Sequence, residues 1–224
     1  NRLLPEFIDL VELGITKEFD SKNSVYATLY YRHVDNVINR VNTLAYQSNG
    51  VVIDSILNRV YSNVGKSNAK GIELGAQFKL NPNWSNFIGA NIFNYDVDGQ
   101  FVFRHRDGID RNYKVKNQNT VYSFNVNSTY SLKQNASIQF TFNYISERNT
   151  AQGKDSRFYT PNLTLKKSFL NNQLVATLQW QNMDMGLLKS NEQSIATSRP
   201  DEFYTYTNYV YEVDMIILNI SYTF

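Results

Sequence analysis

Apolar and polar residues alternate one by one through much of this chain, and that pattern belongs to strands with two unlike faces. It is clearest in Ile138–Tyr144, where Ile138, Phe140, Phe142 and Tyr144 share one face and Gln139, Thr141 and Asn143 the other. The preceding segment repeats it, with Tyr122, Phe124, Val126, Ser128, Tyr130 and Leu132 opposite Ser123, Asn125, Asn127 and Thr129. The polar stretch Lys133–Ala136 between them predicts a hairpin. In Phe7–Phe19, Val11, Leu13 and Ile15 oppose Glu12, Gly14, Thr16 and Glu18. Val25, Ala27, Leu29 and Tyr31 oppose Tyr26, Thr28, Tyr30 and Arg32, and Ile72, Leu74, Ala76, Phe78 and Leu80 oppose Glu73, Gly75, Gln77 and Lys79. Leu174, Ala176, Leu178 and Trp180 continue the series. In Trp84–Val97, Ile88 and Ile92 claim one face while Phe87, Phe93 and Tyr95 claim the other, so that register stays open.

The connections alternate in length. Short turns fall near residues 20–23, 81–83, 133–136 and 170–173, and longer polar stretches near 35–62, 97–118, 146–158 and 183–204. A soluble sandwich has no reason to lengthen every second connection, whereas an outer-membrane barrel has short periplasmic turns and long external loops. Strand pattern alone also fits a half-solvated soluble sheet. The loops and the C-terminus tip the reading towards the membrane.

Composition agrees. Aromatic residues make up 14% of the 224 residues and Tyr leads with 16, an apolar ring with a wet hydroxyl that suits the lipid–water boundary. The net charge of +2 argues against nucleic acid as partner, and the absence of cysteine removes disulfides, thiolate metal sites and thiol nucleophiles. No run reaches the roughly 18–20 apolar residues of a membrane-spanning helix. The opening Asn1–Glu6 lacks the regions of a signal peptide, so the expectation is a mature or truncated chain.

The last residues, Asp214–Phe224, put Ile216, Leu218, Ile220, Tyr222 and Phe224 on one face and stop on the aromatic. This resembles the C-terminal strand of bacterial outer-membrane proteins, where such an ending is read by the barrel-assembly machinery. Three further places resemble TonB-dependent receptors, particularly the outer-membrane β-barrel family common in Bacteroidetes. Pro5-Glu6 before Glu12-Leu13-Gly14 is similar to a strand opening after an external loop. Asn63-Val64-Gly65-Lys66 before Gly71-Ile72-Glu73 is similar to the "N-x-G … G-x-E" strand start. Gln181-Asn182-Met183 stands near the "N-L-F" close of the penultimate strand and departs from it.

The resemblance implies an all-β fold, an antiparallel up-and-down transmembrane β-barrel in the outer membrane. About nine strands are expected over residues 1–224 as a single domain, the C-terminal part of a larger barrel of roughly 22 strands, without its plug and N-terminal strands. It further implies outer-membrane lipid and the assembly machinery as partners, and TonB through the missing plug. Edge-to-edge pairing of the fragment is a further expectation.

Candidates for chemistry are few. His33 and His105 are the only histidines, and neither stands in a motif with a serine and an orienting acid, so no catalysis is expected. Asp96-Val97-Asp98-Gly99 resembles part of a calcium loop but lacks the remaining ligands, and a hairpin tip is the expected reading. No metal and no cofactor are expected. Arg104, His105, Arg106 and Arg111 are the candidates for an external ligand-contacting loop, against the simpler reading of a solvated loop. The functional expectation is a receptor or transporter segment that imports a bulky nutrient. A smaller porin, a structural or adhesion barrel, and an outer-membrane hydrolase are the alternatives.

Overall fold

The computed structural model describes residues 3–48, 53–105, 108–184, 189–199, 202–210 and 213–224. Among the described residues fifteen strands follow one another: β1 (Phe7–Asp20), β2 (Asn23–Asp35), β3 (Ile38–Ser48), β4 (Ile53–Asn63), β5 (Lys66–Asn81), β6 (Trp84–Arg104), β7 (Asp110–Leu132), β8 (Ala136–Ile145), β9 (Arg148–Thr150), β10 (Gly153–Asp155), β11 (Phe158–Phe169), β12 (Leu174–Gln181), β13 (Glu192–Arg199), β14 (Phe203–Val210) and β15 (Met215–Tyr222). Nine form one antiparallel sheet in the order β1-β2-β5-β6-β7-β8-β11-β12-β15, each paired with its neighbours along the chain of spanning strands. Among the described residues the outer edges of β1 and β15 carry no further strand. No helix of the described residues is long and apolar enough to cross a membrane, so any crossing is made by these strands.

The four short turns expected from sequence lie on one side of the sheet, and they are built without glycine. Asp20 Oδ1 accepts from the backbone N–H of Lys22 (2.7 Å) and Asn23 (2.8 Å), and Asn81 Oδ1 from that of Asn83 (2.9 Å). Local side-chain capping of this kind makes Asp and Asn turn formers. Asn135, Asn171 and Asn172 take the left-handed conformation (φ 56°, 52° and 73°), which Asn tolerates better than other side-chain-bearing residues.

Register carries the expected two faces across the whole sheet. Ile15, Ala27, Leu74, Ala90, Phe124 and Tyr144 stand opposite one another in sequence, strand to strand. A second row runs Tyr130, Ile138, Leu165, Leu178 and Leu218. These rows face outward: on the interior strands Leu74 is 40% exposed, Phe124 39% and Leu178 40%. A soluble monomer does not present a continuous apolar face of this size to water. The opposite face is polar. Tyr26 Oη donates to Glu73 (2.9 Å), Tyr30 Oη to Asn91 (3.0 Å), Gln139 Nε2 to Asn127 (3.0 Å) and Asn162 Nδ2 to Thr141 (3.1 Å).

The register left open in β6 is settled by its neighbours. Ile88, Ala90 and Ile92 lie against Ala76, Leu74 and Ile72 on the outward face, while Phe87, Phe93 and Tyr95 point inward. Above Ile92 the apolar phase changes sides. Val97, Phe101 and Phe103 are inward and buried, as are Val115 and Val121 of β7, Val34 of β2 and Ala69 of β5. The buried core of the described residues therefore sits at the long-loop end. There Val34, Val97, Phe101, Phe103 and Val115 of the wall meet Val37, Val41, Val64 and Ala151 of the loops.

Two expectations are corrected. The stretch 97–118 is not a long polar loop, because β6 and β7 run 21 and 23 residues and pair from Trp84↔Tyr130 to Arg104↔Asp110. Asp96–Gly99 is accordingly no hairpin tip: it lies mid-strand, opposite Val115–Gln118. Polar density suggested a loop there because the outward face of a strand beyond hydrocarbon is wetted, so Asp98 and Gln100 resemble loop residues. The other three long connections are loops that carry strands of their own. β3 and β4 form a hairpin, and β14-β13-β10-β9 form a separate four-stranded sheet.

Candidate functional site: a capped cleft at the loop end

The long connections fold together over the inward face of the wall. Their anchors are specific. The Asn42 N–H donates to Gln152 Oε1 (2.6 Å) and Gln152 Nε2 to the Asn42 carbonyl (2.9 Å), tying the β3–β4 hairpin to the β9–β10 turn 110 residues away. Both side chains are buried, and a buried amide that meets a backbone peptide with donor and acceptor together avoids the cost of unpaired polar groups.

On the other flank, Arg199 of β13 lies 3.8 Å from the Phe103 ring centroid and 5.3 Å from that of Phe203. It also pairs with Glu202. Arg199 is 3% exposed and its Nε and Nη1 have no hydrogen-bond partner, so the ring faces supply the electrostatic contact that water would otherwise give. A buried guanidinium thus clamps the β13–β14 hairpin to the projecting tip of β6.

Glycine enables one close crossing. Gly65 adopts φ +115°, and a Cβ there would fall 2.4 Å from the Asp98 carbonyl oxygen; one on Gly99 would fall 1.9 Å from that of Val64. Only two glycines let the end of the loop pass this close to β6. Asn63, two residues earlier, accepts from the Leu4 N–H (2.9 Å) and donates to the carbonyls of Leu4 (3.0 Å) and Asn36 (2.7 Å). The strand-start residues picked out by resemblance therefore close the β3–β4 excursion onto the wall, which is a structural role.

Among the described residues a cleft and a chamber lie within this cap. A cleft of about 520 Å³ separates the β3–β4 hairpin from the inner-facing side of β13–β14; Arg40, Asn42 and Arg59 line one side, Gln193, Thr197, Thr205, Thr207 and Tyr209 the other, and Arg148 and Asp155 its base. A chamber of about 320 Å³ lies between the β9–β10 turn and the wall, lined by Arg32, Phe93, Tyr95, Asn117 and Val121. Asn39, Arg148, Thr150 and Ala151 border both. Volumes of this order hold small ligands. Arg148 Nε donates to Asp155 Oδ2 at 2.9 Å across the β9–β10 pair.

The residues singled out from sequence are placed elsewhere. The Arg104 backbone ends β6 and Arg106 lies outside the described residues. His105 turns towards Glu202, with Nε2 3.5 Å from Oε1, and Arg111 is exposed on β7 opposite Phe103. His33 faces outward just beyond the apolar band, its Nδ1 2.7 Å from Asn68 Oδ1 and its Nε2 3.5 Å from Asp35 Oδ2. Ile216, Leu218, Ile220, Tyr222 and Phe224 form the outward row of the edge strand and its end. Sequence reading missed Arg32, Arg40, Arg59, Arg148 and Asp155. They come from separate strands and loops, and no local motif links them.

Among the described residues no group of three or more His, Cys, Asp and Glu side chains is placed to hold a metal ion. On the outward face, Tyr122, Tyr144 and Tyr159 stack in a row (centroids 5.8 and 6.4 Å apart) at the top of the apolar band. That is the position of an interfacial aromatic girdle.

No curated protein and no solved structure matches the chain. A family model does, over residues 1–222. With an outward apolar band, an inward polar face and long capped connections on one side only, the chain belongs to the outer membrane protein beta-barrel family and resides in the outer membrane.

Proposed function

We propose that this chain is the C-terminal barrel portion of a TonB-dependent outer-membrane receptor that imports a bulky nutrient. The observation that carries the reading is the cap. Loop hairpins with a buried core of their own are folded over the inward face, leaving a polar cleft and a chamber beneath it. A passive pore gains nothing from a built cover, whereas a receptor needs a binding surface that holds its solute before transport. The free edges of β1 and β15 support a barrel of more than these nine strands, since unpaired backbone is not tolerated in hydrocarbon. The outward row Ile216–Phe224 supports recognition by the assembly machinery. The reading assigns no catalytic step to the chain.

The test is solute accumulation in cells with and without the parent gene. Accumulation that depends on the gene and collapses on adding a protonophore or removing TonB is expected. Gene-dependent accumulation that survives both treatments would show a passive route and overturn the proposal.

A further inference from the structure

Building on the receptor reading, we propose that the cap takes an anionic solute, bearing carboxylate or phosphate groups, along a ladder of arginines whose middle rung is Arg148. Arg40 and Arg59 stand at the cleft, Arg148 between cleft and chamber, and Arg32 in the chamber. Asp155 is the one acid lining either space among the described residues. Four guanidinium groups thus face one carboxylate, a local surplus larger than the net +2 of the entire chain. Positive charge outweighs negative in this lining, and a concave site with a surplus of one sign focuses the field on an incoming ion.

The arginines are also available. Arg32, Arg40 and Arg59 have no ion-pair partner among the described residues, and Arg148 meets Asp155 through Nε alone. Among the described residues its terminal nitrogens, which grip a carboxylate or phosphate in a two-point contact, have no partner. Asp155 is nearly buried (side chain 9% exposed) while Arg148 is half exposed (52%). The carboxylate is therefore the fixed member and the guanidinium the one that can turn to a ligand. The remaining lining of Thr, Asn, Gln and Tyr supplies hydroxyl and amide donors, which suit the same chemistry.

The test is calorimetric titration of the purified full-length protein in detergent with citrate, with pyrophosphate and with the neutral sugar raffinose. At least one anion is expected to bind, and raffinose is not. Arg148→Gln should weaken binding by about tenfold, the loss of one charge-assisted contact, and the double variant Arg40→Gln/Arg59→Gln by about tenfold to a hundredfold, the loss of one or two. Asp155→Asn should tighten it, because Arg148 is then released. That opposite sign separates a ligand-binding arginine from a strut: if Asp155→Asn weakens binding as Arg148→Gln does, the pair is structural and the proposal fails. It fails equally if neither anion binds, or if raffinose binds and the arginine variants leave it unchanged. Failure of the receptor reading looks different. Anion binding with passive uptake would overturn that reading and leave this site standing, whereas TonB-dependent uptake of a neutral solute indifferent to Arg148 would overturn this site alone.

Discussion

Gly75 supports the polar wall by having no side chain. It lies opposite Tyr26 on β2 and Gly89 on β6, and the Tyr26 ring lies flat over it. A Cβ at this position would fall 2.0 Å from Tyr26 Cε1 and 2.4 Å from Cζ. In Gly75→Ala the ring must swing away, because the Gly75 backbone is fixed by hydrogen bonds on both sides. Swinging costs about 0.5–1.5 kcal/mol if the ring leaves its rotamer. It also breaks the 2.9 Å bond to Glu73, worth about 1 kcal/mol for an exposed pair, below the range for buried bonds to charged groups. The expected destabilisation is about 1–3 kcal/mol, read as a shift of the urea midpoint of the protein refolded in lipid bilayers. The decisive comparison is a double-mutant cycle. In a Tyr26→Ala background the clash is absent, so Gly75→Ala should cost under about 0.5 kcal/mol. Equal costs in both backgrounds would refute the steric argument.

Two other substitutions probe the cap. Asn63→Ala removes three hydrogen bonds to Leu4 and Asn36, at about 0.5–1.5 kcal/mol each. Faster amide exchange at Leu4, whose N–H is the one that Asn63 accepts, is expected, with the strands of the wall unchanged; unaltered exchange there would contradict it. Arg199→Ala strips the cation from the Phe103 and Phe203 faces and leaves Glu202 without that partner. A local loss of about 2–4 kcal/mol follows, seen as protease cleavage within 190–210 while the spanning strands stay protected. Resistance equal to the parent protein would show that the clamp contributes nothing.

How much of this was legible in the sequence depends on which solvent a face meets. Where the sheet contacts hydrocarbon, every second residue must be apolar, and Leu13, Ile72, Phe140 and Leu178 announce their face without help. The four short turns are equally plain, since Asp20, Asn81, Asn135 and Asn171 supply the local chemistry a tight turn needs. Trp84–Val97 resisted reading because its alternation has two phases. Ile88 and Ile92 answer to lipid, whereas Phe93 and Tyr95 answer to the cap. The conflict marks the place where β6 leaves the bilayer, and the same switch occurs between Tyr31 and Val34 and between Tyr122 and Val121. The arginine-lined cleft had no comparable signal. Arg32, Arg40, Arg59 and Arg148 are joined by hairpin packing and by the Asn42–Gln152 link, contacts that span up to 110 residues. Charge density drew attention to 104–111 instead, around the end of β6 at Arg104 and the start of β7 at Asp110.

The absence of native cysteine makes a direct test simple: single cysteines along β6 from Asn86 to Phe103, each carrying a nitroxide, in lipid bilayers. Collision with dissolved oxygen, which concentrates in hydrocarbon, should be high at 88, 90 and 92 and low at 87, 89 and 91. Beyond 92 the lipid signal should vanish, with 97, 101 and 103 shielded from oxygen and from a water-soluble relaxant alike. Oxygen accessibility that keeps its even-numbered rhythm through residue 102, or water access at 88, 90 and 92, would contradict the account.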